Sequence, residues 1–255
     1  MKLNKGVIAV SGKGGVGKTS ISALLVKKLS QMGNVLAVDA DPDSNLSLAL
    51  GVNVKKTLGD VRESILHAPL GQKLKMTKEE FAKLAFHESV EEYDNFDLVV
   101  MGRPEESGCY CKVNSIIREV IDFRALTYEF SVIDCHAGLE HLSRRTTRGV
   151  DIMVVVTDHT KNGMLTAKRV VELSKELSID FGKILIVANK ISSSTRSIVD
   201  KAAKEAGLNI DVYIPFDDKV SNLNLFGKPV VDLSSSSPVL TAVDSLYDEI
   251  VSDNI

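Results

Sequence analysis

Nine residues near the start of the chain have the composition of a phosphate-binding loop. Gly12, Gly17, Lys18 and Thr19 match the pattern G-x-x-x-x-G-K-[ST]. Glycines let successive backbone N–H groups converge on a phosphate oxygen, because no Cβ atom blocks the approach. The lysine can reach the β- and γ-phosphates of a nucleotide, and the threonine hydroxyl can bind Mg²⁺. The predicted nucleotide-binding residues here are Gly12, Lys13, Gly14, Gly15, Val16, Gly17, Lys18, Thr19 and Ser20.

Carboxylates follow two apolar runs of the sequence. Asp39, Asp41 and Asp43 come after one run, and Asp134 closes another. Acidic residues at the carboxyl ends of parallel strands lie in the ligand crevice of an α/β sheet. Hydrolysis of a nucleotide needs carboxylates near Mg²⁺ and near the attacking water. We therefore predict a magnesium site from Thr19, Asp41 and Asp134, with Asp39 and Asp43 as secondary candidates, although an aspartate here could instead cap a helix or a turn.

A pair of cysteines, Cys109 and Cys111, is separated by one residue in a polar loop bounded by glycines. Two thiolates can bind a soft or borderline metal ion, but a tetrahedral site needs four ligands. Two chains that met at this pair would supply four thiolates, for zinc or nickel or for a four-iron four-sulfur cluster. The alternative is that two unrelated cysteines occur in one loop.

These residues must be positioned by short apolar runs that alternate with segments of helical periodicity. This alternation predicts an α/β fold with a doubly wound, mainly parallel sheet flanked by helices. We expect one domain over residues 1–255, with a helical excursion at about 58–92. The predicted strands are 6–11, 35–38, 96–101, 130–134, 152–157, 184–188 and 210–214, and the predicted helices are 18–30, 114–126, 163–177, 196–206 and 238–251.

Composition narrows the classes of partner. The net charge is −3, so the chain has no general electrostatic attraction for nucleic acid. No apolar run approaches the ~18 residues of a membrane span, and the N-terminus lacks a signal-peptide pattern. We therefore expect a cytoplasmic protein that binds neither membrane nor nucleic acid.

The second lysine of the phosphate loop, Lys13, makes the segment K-G-G-x-G-K-[ST]. This segment resembles the P-loop of the MinD/ParA/nitrogenase-iron-protein group of ATPases. The resemblance implies a P-loop NTPase fold, ATP and ADP as ligands with Mg²⁺, and a homodimer in which Lys13 reaches the partner's nucleotide. It also implies catalytic roles for Lys13, Lys18 and Asp41, the last as the residue that orients the attacking water.

The same resemblance implies two contacts to adenine. Asn189 follows a predicted strand where the group places an asparagine that reads the adenine edge, and the loop from Pro215 to Asp217 resembles a second adenine-contacting loop. Each of these segments could instead be a plain turn. Guanine specificity is disfavoured, because the N-K-x-D pattern would need an aspartate at the position of Ser192.

A narrower resemblance covers nearly the whole chain. Residues 101–105 (MGRPE), 108–111 (GCYC) and 137–146 (AGLEHLSRRT), with Asn114 and Arg118, closely resemble the CooC-type accessory ATPases of nickel carbon monoxide dehydrogenase. The resemblance implies a homodimer through the P-loop and the Cys-x-Cys face, nickel or zinc bound there, and nickel carbon monoxide dehydrogenase as the client. His136 departs from the family, which usually has an acidic residue at that position.

Two other functions remain open at this point. An ATP-driven iron–sulfur protein resembling the nitrogenase iron protein is disfavoured, because its cluster cysteines lie far apart in sequence. A positioning switch of the MinD/ParA kind would need a basic surface or a basic amphipathic tail. The segment 244–253 (DSLYDEIVSD) is acidic instead.

Overall fold

A computed structural model describes residues 5–66, 77–103, 127–136, 150–176 and 181–252. Within these residues, eight strands form a single sheet. The strands are β1 (Gly6–Gly12), β2 (Val35–Ala40), β3 (Glu91–Glu92), β4 (Phe96–Val100), β5 (Phe130–Cys135), β6 (Ile152–Thr157), β7 (Lys183–Ile191) and β8 (Val212–Pro215).

Helices cover both faces of this sheet. In the described parts of the chain they are α1 (Lys18–Leu29), α2 (Leu46–Leu50), α3 (Leu58–Leu66), α4 (Lys78–Ser89), α5 (Lys161–Glu176), α6 (Ser193–Ala206), α7 (Asp218–Leu225) and α8 (Pro238–Val251). A single 3-10 turn, Val230–Asp232, lies between α7 and α8.

The strand order places the phosphate loop at the point where the connections reverse direction. The order is β3-β4-β2-β5-β1-β6-β7-β8, and every pair is parallel except β3 with β4. From β1 the chain first crosses to β2 on one side, and later reaches β6 on the other. Ligands of open α/β sheets bind at such a switch point, outside the carboxyl ends of the strands. The predicted fold class is therefore confirmed.

Alternate residues of the central strand belong to two different hydrophobic cores. Ile8 and Val10 pack with α1 and α8 on one face, whereas Val7 and Ala9 pack with α3, α4 and α5 on the other. Side chains of a strand alternate between faces, so a strand covered on both sides needs a continuous apolar run. This is why the run in β1 contains no charged residue.

Several boundaries differ from the prediction. β2 continues through Asp39 to Ala40, because the Asp39 carboxylate is bonded to backbone N–H groups and can be buried in the sheet. β7 continues past its apolar run to Ile191, with a register irregularity against β8.

Two further differences concern shorter segments. β8 begins at Val212 rather than at residue 210. The excursion expected as helices and loops also contains β3, whose two glutamates carry no apolar pattern and pair antiparallel with β4.

The predicted helix 114–126 lies outside the described residues, and the single-domain assignment stays a prediction. Among the helices that are described, none has the length and apolar composition needed to cross a bilayer.

Candidate nucleotide-binding site

A cavity of about 390 Å³ opens at the carboxyl ends of the central strands. It brings together residues from distant parts of the sequence: the phosphate loop, the segments after β2 and β5, and the carboxyl ends of β7 and β8. The predicted site residues that line it are Gly14, Gly15, Gly17, Lys18, Thr19, Ser20, Asp41, Asn189, Pro215 and Asp217. Gly12, Lys13, Val16 and Asp134 are not in direct contact with the cavity, and Cys109 and Cys111 lie outside the described residues.

The glycines of the phosphate loop are required by two different constraints. Gly12 has φ of 145°, and a Cβ there would lie 2.1 Å from the carbonyl oxygen of Val156. Gly17 has φ of 99°, and its Cβ would lie 2.3 Å from Nδ2 of Asn189. By contrast, a Cβ on Gly14 or Gly15 would meet nothing within 4 Å. Gly12 and Gly17 are therefore required by close packing, against Val156 and Asn189 respectively. Gly14 and Gly15 have open space around them.

Helix α1 begins at the cavity without a side-chain cap. Its N-cap residue is Gly17, and no acidic residue occupies its first turn. The helices α4, α6 and α8, in contrast, are capped by Thr77, Ser192 and Ser237. The first N–H groups of a helix have no partner within the helix, and together with the helix dipole they favour an anion. The uncapped end of α1 is therefore suited to a phosphate.

Lys18 supplies positive charge at the base of the phosphate loop. It is only 8% exposed, and its Nζ donates to the backbone oxygen of Lys13 at 3.3 Å. The ammonium thus bonds to the loop that would surround a phosphate. The side chain of Lys13 itself does not line the cavity, so its proposed reach toward a partner's nucleotide stays a prediction.

Asp134 holds two hydroxyl groups of α1. The Thr19 hydroxyl donates to Oδ2 at 2.6 Å, and the Ser22 hydroxyl donates to Oδ1 at 3.1 Å. A hydroxyl that donates its proton still has oxygen lone pairs, so Thr19 can offer an oxygen to Mg²⁺ while Asp134 orients it. A hydroxyl and carboxylates are the oxygen ligands that Mg²⁺ prefers. Thr19 and Asp41, with Asp134 behind Thr19, therefore fit this ion.

Ser22 was not among the predicted residues. It is fully buried and shares one face of α1 with Thr19, three residues earlier. Residues three apart on a helix are neighbours. A serine three residues after Thr19, among the apolar residues of α1, could therefore have been identified from the sequence.

Asp39 shapes the segment that follows β2. Its Oδ1 accepts from the backbone N–H of Asp41 at 3.1 Å, and its Oδ2 accepts from that of Leu46 at 2.8 Å. It pairs with Asp134 in the register of β2 and β5. Burial, with the nearby Asp134 charge, raises the pKa of Asp39 to about 7. Burial also raises the pKa of Asp134, to about 6, although the bonds from the Thr19 and Ser22 hydroxyls oppose this.

The two other aspartates of this segment are more exposed. Asp41 lines the cavity, and its Oδ1 accepts from the backbone N–H of Asp43 at 3.0 Å. Asp43 also lines the cavity and forms an ion pair with Arg103. Asp39 therefore fixes the backbone of the segment, while Asp41 and Asp43 face the cavity.

Asp39 makes the stability of the nucleotide-free protein depend on pH. Its pKa is near 3.8 ordinarily and about 7 in the folded protein, so between these pH values the folded state keeps a proton that the unfolded chain has lost. The resulting stabilisation is complete below about pH 4 and disappears as the pH rises through about 7. Between pH 5 and pH 8, the free energy of unfolding of the wild-type protein should fall by on the order of 2 kcal/mol more than that of Asp39→Asn.

This difference can be measured by urea unfolding of both proteins in EDTA at the two pH values. The amide of the variant has its own cost at every pH, so the comparison rests on the change with pH and not on the absolute stabilities. Equal pH dependence in the two proteins would contradict the assignment.

The side of the cavity predicted to contact adenine is built around Asn189. Its Nδ2 donates to the backbone oxygen of Val16 at 2.8 Å, and its Oδ1 accepts from the backbone N–H of Lys190 at 2.8 Å. The amide retains a second N–H and a second lone pair. Asp217 caps α7 through the Lys219 N–H at 2.8 Å and accepts from the Ser237 hydroxyl at 2.6 Å. The contacts to adenine stay predictions.

Lys190 and Phe216 also line the cavity on this side, although neither was among the predicted contact residues. Phe216 lies between two predicted residues and is 49% exposed. An aromatic residue within that loop could have been identified from the sequence. Lys190 has a left-handed backbone, with φ of 60°, which no sequence pattern indicated.

His136 and Cys135 have different environments although they are adjacent. His136 is exposed and lines the cavity. Cys135 is buried in β5, and burial raises the pKa of its thiol far above the usual range. A buried thiol of this kind is unreactive, and of the two residues His136 is the one that faces the cavity.

Proteins of known sequence resemble this chain over nearly its full length. It is 46% identical over 252 residues to an uncharacterized ATP-binding protein of Methanocaldococcus jannaschii, covering 96% of this chain and 98% of that protein. It is 31% identical over 249 residues to the carbon monoxide dehydrogenase accessory protein CooC of Rhodospirillum rubrum, covering 89% of this chain and 90% of that protein.

A solved structure of similar fold is the septum site-determining protein MinD of Pyrococcus horikoshii in complex with Mg-ADP. The TM-score is 0.71 at 25% identity, with 96% of each chain covered. Residues 7–230 match the family described as the CobQ/CobB/MinD/ParA nucleotide binding domain. The loop, the sheet order and this match lead to one conclusion: the chain belongs to the CobQ/CobB/MinD/ParA family of nucleotide-binding proteins.

Proposed function

We propose that this protein is an ATP-hydrolysing metallochaperone. In this proposal residues 1–255 form one ATPase domain that works as a homodimer, binds nickel at Cys109 and Cys111, and assists nickel insertion into carbon monoxide dehydrogenase. The observation that carries it is the 31% identity over 249 residues to a carbon monoxide dehydrogenase accessory protein, in a chain that has the Cys-x-Cys pair.

The geometry of the cavity supports the hydrolysis of ATP. The loop glycines and the uncapped end of α1 would hold the phosphates, with Lys18 beside the β- and γ-phosphates. Thr19, with Asp134 behind it, and Asp41 would hold Mg²⁺, which when bound neutralises charge on the phosphate oxygens. Asp41 would orient the water that attacks the γ-phosphorus, and the bond from that phosphorus to the leaving ADP oxygen would break.

The cysteine pair supports a metal cargo that is shared between two chains. Each chain would contribute two thiolates, and a tetrahedral site for nickel or zinc needs four ligands. ATP binding would bring the P-loop faces of two chains together, with Lys13 reaching the partner's nucleotide. Hydrolysis would then reopen the dimer and allow the metal to leave for the client enzyme.

Metal analysis tests this proposal directly. Wild-type protein incubated with Ni²⁺ and a non-hydrolysable ATP analogue should elute from a size-exclusion column as a dimer with about one nickel ion per dimer, as four thiolates per tetrahedral site require. Cys109→Ala and Cys111→Ala should each lose this nickel. Cys135→Ala is the matched control, because that thiol is buried in β5, and it should keep the wild-type stoichiometry.

Two results would count against the proposal. Unchanged nickel binding in both Cys109→Ala and Cys111→Ala would exclude the pair as the site. A stable, reducible iron–sulfur cluster after anaerobic reconstitution, seen by visible and paramagnetic-resonance spectra, would favour an electron-transfer role over metal insertion.

A further inference from the structure

Two consecutive residues at the end of β7 contact two consecutive carbonyl groups of the phosphate loop. Lys190 Nζ donates to the backbone oxygen of Gly15 at 2.8 Å, and Asn189 Nδ2 donates to that of Val16 at 2.8 Å. The two contacts join parts of the chain that lie 175 and 173 residues apart. The loop is therefore held by residues of β7, which is separated from β1 in the sheet by β6.

The backbone of Lys190 is unusual in a way that fits this contact. It has φ of 60°, a left-handed conformation that costs a residue with a side chain roughly 1–2 kcal/mol. The strand pairing of β7 with β8 is irregular between Ala188 and Ile191, and the N–H of Lys190 bonds to the side chain of Asn189 at 2.8 Å. This irregularity aims two adjacent side chains at the same loop, whereas a regular strand would point them to opposite faces.

Each contact fixes the direction of a backbone N–H group. In a planar trans peptide the C=O and the N–H point in opposite directions. Holding the carbonyl of Gly15 toward Lys190 therefore turns the N–H of Val16 away from Lys190. Holding the carbonyl of Val16 toward Asn189 does the same for the N–H of Gly17. A phosphate loop binds through such N–H groups, so their directions must be set before the anion arrives.

We propose that Lys190 is a positioning residue that, with Asn189, holds the phosphate loop in its anion-binding shape. It acts on the loop backbone and need not touch the nucleotide. Because a loop that is already ordered loses less entropy on binding, the contact increases nucleotide affinity more than it changes the rate of the chemical step. The inference rests on the proposed function only in taking the ligand to be a nucleotide.

The test compares Lys190→Met, which keeps an unbranched side chain without a donor, with Lys190→Arg, which keeps a donor. Lys201→Met is the matched control, because Lys201 is an exposed lysine of α6. The first readout is the NMR order parameter of the Gly15, Val16 and Gly17 N–H groups in the nucleotide-free proteins. In Lys190→Met these should fall from about 0.85, the value of rigid backbone, toward the values below about 0.6 of flexible loops, and Lys201→Met should match the wild type.

The second readout is the affinity for ADP, measured by calorimetry. Loss of one hydrogen bond from a charged donor should weaken binding about fivefold to tenfold in Lys190→Met, and Lys190→Arg should recover most of the loss. In steady-state assays with ATP, KM should rise while kcat changes less than about twofold, since the contact acts on binding.

The outcomes separate this inference from the proposed function. Wild-type order parameters or wild-type ADP affinity in Lys190→Met would overturn the inference, whatever metal the protein carries. Lowered order parameters together with weaker ADP binding would support it even if the cysteine variants showed no nickel site. In that case only the proposed metal cargo would fail.

Discussion

Replacing Lys18 with alanine should lower kcat/KM for ATP by on the order of 10²–10³-fold, the usual effect of removing one preorganised charged donor from a transition state. The ammonium lies at the base of the phosphate loop, 8% exposed, where charge interactions are less screened than at the surface. Nζ donates to a backbone carbonyl of the same loop at 3.3 Å, and it can transfer from that carbonyl to a phosphate. The measurement is steady-state ATP hydrolysis with ADP binding by calorimetry.

Lys13→Ala is the informative comparison, because it changes the other lysine of the same loop. If Lys13 acts on the partner's nucleotide, this variant should bind ADP as the wild type does but lose ATP-driven dimerisation and turnover. Full ATPase activity in Lys13→Ala would refute the action across the dimer. Lost ADP binding in Lys13→Ala would instead indicate that Lys13 belongs to the nucleotide site of its own chain.

Replacing Gly12 with alanine should lower the free energy of unfolding by about 3 kcal/mol or more, a large part of the roughly 5–15 kcal/mol that is usual for a folded protein. The added Cβ would lie 2.1 Å from the carbonyl oxygen of Val156, and φ of 145° is a conformation that alanine rarely adopts. The collision involves backbone on both sides, β1 and β6, which cannot move without disturbing the sheet. Urea or thermal unfolding measures the loss.

Two other glycines of the loop provide a graded control. Gly14→Ala adds a Cβ into open space without a positive φ, so its effect on stability should be within about 0.5 kcal/mol. Gly15→Ala also meets open space, but at φ of 79°, and should cost about 1 kcal/mol. Equal stability losses for Gly12→Ala and Gly14→Ala would show that packing against β6 does not explain the need for Gly12.

Much of the fold could be predicted because its elements have strong local patterns. Helix α8 begins and ends where the periodicity of residues 238–251 predicts, and β6 coincides with an uninterrupted run of apolar and β-branched residues. Two of the errors occur where tertiary contacts extend or create a strand. Asp39 continues β2 because two backbone N–H groups satisfy its carboxylate, and β3 forms because β4 lies beside it.

The phosphate-loop part of the candidate site could also be predicted from a strong local pattern. Gly14, Lys18 and Thr19 belong to one short motif, and the structure brings them to one cavity with Asp41 and Asn189. Ser22 and Lys190 were missed, because each owes its place to a partner far away in sequence. Ser22 meets Asp134 across 112 residues, and Lys190 meets Gly15 across 175.

The sequence by itself determined the phosphate loop, the alternation of strands and helices, and the Cys109/Cys111 pair, because each is a pattern of residue types over a few positions. Only the tertiary structure decided which strands flank β1, and therefore which side chains reach the loop. The order β5-β1-β6-β7 brings Asp134 to Thr19 and the Asn189-Lys190 pair to the carbonyls of Gly15 and Val16. Strand order depends on how whole faces pack, and no local spacing encodes it. The loop that the sequence marks as a nucleotide site thus acquires its shape from residues more than a hundred positions away.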